Sequence, residues 1–376
     1  RRPGVTRRSG AGRDAAARRA LGRGDGSPGP ADYVLCIYAF AGTLEAVAAG
    51  RRVRKAWYRV LTADPRAEAL KRFLVRHGAV TPRARRALWL ATARLGPGSP
   101  RADLREAYAA DAAAGEAGEW AETVDLDIPR TPAGLLGGVV DRSELRKVLL
   151  AVAARRPDVG YCQGMDYVAA VILRALAEGG GSRDDGGAHA FGVLACLLAR
   201  DGMLRGLYTR GFPEVRRRSY ALSTLLAATR PELSAHLDDV GACVEVAAFA
   251  PWLQTSFAYH AGDAWPYELV ARAWDVFMLE RHWKCFARLA LHVLLVLPPD
   301  GAPLEVVMPQ LQRLEHLRLG GDAPPEASRS LLEAALTLKV TRATLDDLGR
   351  EFDALDAEAA AAKARAATTA PSRAAF

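Results

Sequence analysis

Apolar residues in this chain recur at spacings of three and four, and that periodicity confines it to a helical fold before any motif is weighed. Leu145, Val148, Leu149 and Val152 stand at i, i+3, i+4 and i+7, which lines one face of a helix. Met165, Val168, Ile172 and Leu176 continue at three, four and four. No convincing alternating apolar–polar run and no Asn-Gly hairpin signal is present. Half of the 376 residues are apolar and a quarter are charged, and alanine and leucine dominate, a mixture that favours helix over sheet. The length allows one large domain or two ordinary ones with a sizeable core.

Proline and glycine punctuate the pattern. Thr81-Pro82 reads as a cap followed by proline at the first helical position, and His77-Gly78 as the stop of a helix over 67–75. Residues Trp57 to Leu61 predict an earlier helix. A loop is expected over 95–101 and a helix over about 102–121. Pro129 and Pro132 exclude a regular helix around Arg130. Asp141 with Glu144 resembles a capping box. Pro157 and Gly160 bracket a tight turn in Arg155–Met165, where a helix ends and Gln163 stands among Tyr161, Gly164 and Met165. Residues 178–187, rich in glycine, predict a flexible insert. Further helices are expected over 188–203, 215–229, 242–260, 267–280, 282–297, 303–316, 326–338 and 342–362.

The net charge of +8 is unevenly placed. Eight arginines against Asp14 and Asp25 give residues 1–25 a net +6, leaving +2 on the other 351 residues. A basic binding face on the body is therefore not implied, and no specific nucleic-acid partner is expected. Residues 1–30 predict a disordered Arg/Gly-rich tail. The five cysteines are scattered and odd in number, as reduced thiols of a cytosolic protein would be. His282 and Cys285 are three apart, but no second pair completes a zinc set. No apolar run reaches the ~18 residues of a membrane span, and no signal peptide is visible.

Several catalytic signatures are missing: a phosphate-binding Gly-x-x-x-x-Gly-Lys-Ser/Thr loop, a Gly-x-Ser-x-Gly elbow and a His-Glu-x-x-His pair. Trp274-Asp275 reads as core plus a buried helix carboxylate. Taken singly, Arg130 reads as a solvated loop charge, Gln163 as a surface amide, Asp127 as a turn acid and Tyr161 as a core aromatic. Together they form two segments, Val124-x-x-Asp127-x-x-Arg130-Thr131 and, some thirty residues on, Gly160-Tyr161-Cys162-Gln163-Gly164-Met165. This pair resembles the TBC domain of Rab GTPase-activating proteins. Three weaker blocks follow the family's order: Gly78 through Pro82 and Arg85 to Trp89, Pro251-Trp252-Leu253-Gln254-Thr255-Ser256-Phe257, and Arg272-Ala273-Trp274-Asp275-Val276-Phe277.

The resemblance implies an all-α fold, a single large multi-helix domain over 76–300, with a helical lead-in over 31–75 and C-terminal helices and tail over 301–376. It implies an activator of a GTP-bound Rab GTPase that regulates vesicle trafficking, cytoplasmic or peripheral on endomembranes. The activator has no cofactor or enzyme activity of its own, since GTP and Mg²⁺ are carried by the partner. Arg130 and Gln163 match the family's arginine and glutamine fingers, Asp127 its supporting acid and Tyr161 its supporting tyrosine. Gly164 is expected to leave room for the partner's backbone. The alternative is a Rab-binding scaffold of this fold without catalysis. Two departures stand out. Pro132 follows Thr131 directly, where the family often has an aromatic first. Asp166 occupies a position often held by asparagine, and its charge near a phosphate-binding surface is expected to weaken association.

Overall fold

The computed structural model describes residues 71–72, 74–76, 80–95, 102–180, 183–242, 249–297, 302–319 and 325–369. Among them the fold is all-α, with no strand beyond one isolated bridge between Ala261 and Trp265. The helices are α1 (Pro82–Thr92), α2 (Ala102–Glu116), α3 (Ala121–Asp127), α4 (Ala133–Leu136), α5 (Arg142–Arg155), α6 (Met165–Glu178) and α7 (Arg183–Leu197). They continue as α8 (Pro213–Thr229), α9 (Pro231–Asp239), α10 (Tyr267–Glu280), α11 (Lys284–Leu295), α12 (Leu304–Arg313), α13 (Pro325–Thr337) and α14 (Arg342–Thr369). The tail, the Trp57–Leu61 helix and the His77-Gly78 stop lie outside the described residues.

Two helices form the centre. α6 buries residues on every side, from Met165 and Asp166 through Val168–Leu173 to Leu176, and α10 buries eleven of its fourteen residues. A helix that is apolar all round must be enclosed by others. α6 is enclosed by α1, α4, α5 and α7, and α10 by α1, α11 and α13. Outside them α5 packs on α2, α11 on α8 and α13, and α14 along α8.

One buried polar cluster ties α1 to α10. Asp275 is fully buried and accepts from Arg85 Nε at 3.1 Å, Arg85 Nη2 at 3.0 Å and the Trp89 indole at 2.9 Å. Arg85 also donates to Glu268 at 2.8 and 2.9 Å. Burial pulls its guanidinium down, yet Asp275 and Glu268 outweigh that and hold it above its ordinary range. The carboxylate expected of the Trp274-Asp275 pair is this one. Trp274 itself packs on Trp89, with ring centroids 5.8 Å apart, and donates to the carbonyl of Ser256 at 3.0 Å.

Local expectations fared unevenly. Thr81 caps α1 through the Ala84 N–H, with Pro82 at the first position, and α10 spans the predicted residues. The helix expected over 102–121 ends at Glu116, and α3 then runs to Asp127, so Val124 and Asp127 are helical. The two prolines exclude α-helix only from Ile128 onward, where a 3₁₀ turn covers Ile128–Arg130. Asp141 does cap α5, through Ser143 N–H at 2.7 Å, but Glu144 accepts from Tyr108 and so joins α5 to α2. The glycine-rich 178–187 insert gives way to α7 from Arg183, because side chains such as Asp185 and His189 are buried there. The helix expected over 242–260 is instead, in its described part, a π-helical turn at Phe249–Gln254 and a 3₁₀ turn at Ala258–His260. Pro251 breaks the regular ladder, and Ser256 and Phe257 take left-handed φ values of 48° and 64°. Phe257 is held there by stacking on Trp252 and Trp265.

Two stability outcomes follow from this packing. Asp275→Ala leaves the Arg85 guanidinium and Trp89 N–H short of partners in the core, and urea denaturation should show a loss of about 3–5 kcal/mol. His260 is buried, and desolvation pulls its imidazole down to about 3. The unfolded chain, with an ordinary histidine near ~6.5, therefore takes up the proton first as pH falls. The contribution of His260 is full above that pH and is lost between it and about 3. Measured against His260→Gln, the wild-type chain should lose stability through this window, by at most about 1.4 kcal/mol per pH unit.

Candidate functional site

The two sequence segments meet where the C-terminal end of α3 faces the N-terminal end of α6. α3 delivers Asp127 at its last turn, and the 3₁₀ turn then carries Arg130 outward, exposed. The turn is fixed from behind by Arg142 of α5, which donates to the Thr131 carbonyl at 2.8 Å and also to that of Ile128. These carbonyls lie at the end of a helical segment, where a cation is favoured.

The second loop starts where α5 ends. Val159 and Gly160 N–H groups close the turn onto the Arg156 carbonyl at 2.9 and 2.7 Å. Arg156 anchors it to α7 through the Ala195 carbonyl. Gly160 has φ of +66°, and a Cβ there would lie 2.6 Å from the Trp120 ring, so glycine is required on both counts. Gln163 is exposed, and among the described residues its side chain has no recorded hydrogen bond. Gly164 serves as the N-cap of α6 at φ of +96°. It is buried, and a Cβ would meet Thr255 Cγ2 at 3.3 Å. The glycine is thus explained by its left-handed backbone and by packing on Thr255.

Asp127 and Tyr161 connect the loops. The Tyr161 hydroxyl donates to Asp127 Oδ2 at 2.8 Å, and the Arg130 guanidinium lies 3.4 Å from Oδ1. Burial first, then Asp166 and Asp127, push the Tyr161 hydroxyl far above its usual range, so it remains a donor. Asp127 is 8% exposed and Arg130 65%. A pair this open on one side contributes little stability, so the tether aims Arg130 without locking it.

Asp166 points inward, contrary to expectation. It is 1% exposed, accepting from the Thr131 hydroxyl at 2.9 Å and from the Gly164 N–H at 3.2 Å. Its charge is therefore not on the exposed face. The sequence reading missed three further supports. Gln254 donates to Cys162 Sγ at 3.2 Å, while its own carbonyl accepts from Tyr208 at 2.7 Å. Thr255 lies beneath Gly164. Arg142 had no signal beyond its place near an N-cap. Gln254 and Thr255 belonged to a block already singled out, but only for its aromatics. Of the named residues, Asp127, Arg130 and Tyr161 are in direct contact, and Gln163 joins them through its neighbours.

Two neighbouring loops thus bring an exposed guanidinium and an exposed carboxamide over a buried bed. Together they can supply fixed positive charge and an amide that both donates and accepts. Such a site suits an anionic ligand brought from outside.

Comparison with known proteins agrees with this architecture. Residues 104–300 match the Rab-GTPase-TBC domain family. The chain is 34% identical over 142 residues to the GTPase-activating protein GYP5 of Eremothecium gossypii, which is 38% of this chain and 15% of that protein. It is 30% identical over 167 residues to Growth hormone-regulated TBC protein 6 of Caenorhabditis elegans, 43% of this chain and 45% of the other. The chain thus spans less than half the length of either relative. The fold is similar to the crystal structure of the Ypt/Rab-GAP domain of Gyp1p, with a TM-score of 0.57, 16% identity and coverage of 75% of this chain and 96% of that one. It is also similar to the Chlamydomonas flagellar RabGAP TBC domain, with a TM-score of 0.53, 18% identity and coverage of 78% and 93%. With more than half of its residues matched to that family, the chain belongs to the Rab-GTPase-TBC domain family.

Proposed function

We propose that this chain accelerates GTP hydrolysis on a GTP-bound Rab GTPase, with Arg130 and Gln163 acting in trans, and so regulates vesicle trafficking at an endomembrane surface. The observation that carries the reading is the pairing of two exposed side chains on loops whose backbones are pinned from below. Arg130 is 65% exposed beside Asp127, and Gln163 is exposed on the loop anchored by Tyr161 and Gly164.

The chemistry asks for these residue types. Phosphoryl transfer to water spreads negative charge over the transferred group's oxygens, and the attacking water must be held in line. Arg130 brings a permanent charge in a planar fork that meets two oxygens at once. Moving it from Asp127 to a phosphate exchanges one carboxylate partner for a more highly charged one. Gln163 has an acceptor for the water's proton and a donor for a phosphate oxygen, which an ionised carboxylate lacks. Asp127 sets the direction of approach of Arg130, and Tyr161 keeps Asp127 in place. The names of the relatives, a GTPase-activating protein and a TBC protein, support the same activity for this chain.

Single-turnover GTP hydrolysis across a panel of Rab proteins tests the proposal. At least one Rab should be accelerated, and Arg130→Ala should remove about 10³-fold or more of the acceleration. Arg130→Lys should recover little, because the charge returns without the fork. Gln163→Ala should lose acceleration while Rab binding persists. Binding of GTP-loaded Rab with no acceleration by the wild-type chain would instead identify a scaffold.

A further inference from the structure

The position of Asp166 has a use beyond its own helix. Its carboxyl group reaches both loops from beneath, as Asp127 does from the side of Arg130: Oδ2 takes the hydroxyl of Thr131, the neighbour of Arg130, and Oδ1 takes the N–H of Gly164, the neighbour of Gln163. Thr131 and Asp166 are 35 residues apart in the chain and both are 1% exposed. Neither bond is available to water, so breaking either leaves a buried polar group without its partner.

We propose that Asp166 is a positioning residue that clasps the Arg130 and Gln163 loops together from beneath, so that the two exposed side chains are presented as one unit.

The clasp is linked to protons. Burial pushes the Asp166 carboxyl up to about 6, with the negative Asp127 adding to the push and the Thr131 hydrogen bond opposing it. The other titratable groups facing it are Tyr161 from the Gln163 loop, Tyr208 from the segment leading into α8 and Tyr167 from its own helix. Burial raises all three hydroxyls, so they stay neutral and leave Asp127 as the opposing charge. If opening the clasp returns Asp166 to water, its carboxyl falls back toward ~4. The closed form then binds the proton more tightly than the open one. Closure is therefore favoured as pH falls through about 6 and opposed by the ionised carboxylate above it. Asparagine is isosteric and neutral. Its carbonyl can accept from Gly164, and its amide can donate to the Thr131 oxygen.

Hydrogen exchange on the full chain without any Rab reads the clasp directly, through protection factors in segments 128–136 and 161–166. Asp166→Ala and Thr131→Val should each lower protection about tenfold in both segments. Asp166→Asn should equal or exceed wild type at pH 7.5 and lack the rise in protection that wild type shows at pH 5.5. If Asp166→Ala fails to fold, Thr131→Val still decides, because it changes no residue of the 161–166 segment and must loosen it nonetheless through the lost bond to Asp166. Release confined to the mutated loop would overturn the clasp, and so would a pH response retained by Asp166→Asn. The hydrolysis assay adds a second arm, which rests on the Rab-activating function proposed above. At saturating Rab, Asp166→Ala should slow single-turnover hydrolysis about tenfold, with half-saturation changed less than twofold, and Asp166→Asn should recover most of that rate. A wild-type chain that accelerates no Rab while the exchange pattern holds would sink the function and leave the clasp standing. An unchanged rate for Asp166→Ala beside an active wild type would sink the clasp.

Discussion

The Asp275 carboxylate is the interaction on which widely separated parts of the fold depend. It joins Arg85 and Trp89 near the start of the described chain to α10 near its middle, across 186 to 190 residues. Two ionised groups in a core are costly to desolvate. Here Asp275 receives hydrogen bonds from both Arg85 and Trp89, and Arg85 has Glu268 as a second partner. α1 is thereby held on α10, and Trp274, the residue before Asp275, holds the carbonyl of Ser256. Through Ser256 the cluster reaches the strained turn that places Gln254 and Thr255 beneath the Gln163 loop.

Two other buried carboxylates organise the site by the same rule. Asp127 accepts from Tyr161 on one oxygen and faces Arg130 with the other. Asp166 accepts from the loop on each side of it. A buried acid that is short of cations takes what donors it can reach, here hydroxyls and backbone N–H groups. Each such bond fixes a loop that would otherwise be held only at its ends. The exposed tips are left free of strong partners, which leaves Arg130 and Gln163 available to a ligand arriving from outside.

Much of this was legible in the sequence, and for local reasons. Helical periodicity, Thr81-Pro82 and the Pro157–Gly160 turn are set within a few residues, and they came out as expected in α1, α5 and α6. The failures came where tertiary contacts overrode local signals. The glycines before and within α7 read as a linker, yet buried side chains such as Asp185 and His189 hold a helix there. The stretch around Pro251 read as part of a helix, and stacked aromatics instead hold Phe257 in a left-handed conformation. Asp166 read as a surface charge because its spacing in α6 says nothing about Thr131.

By itself the sequence determined that the chain is helical, that Arg130 and Gln163 stand on turns, and that their two motifs match one family. Those properties depend on residue type and on spacing over a few residues. Only the tertiary structure decided which polar groups face inward, and so which residues hold the two loops. Arg142, Asp166, Gln254 and Thr255 take their roles from partners 11 to 92 residues away. Hydrogen-bond direction and burial over such separations are properties of packing, with no periodic trace in the chain.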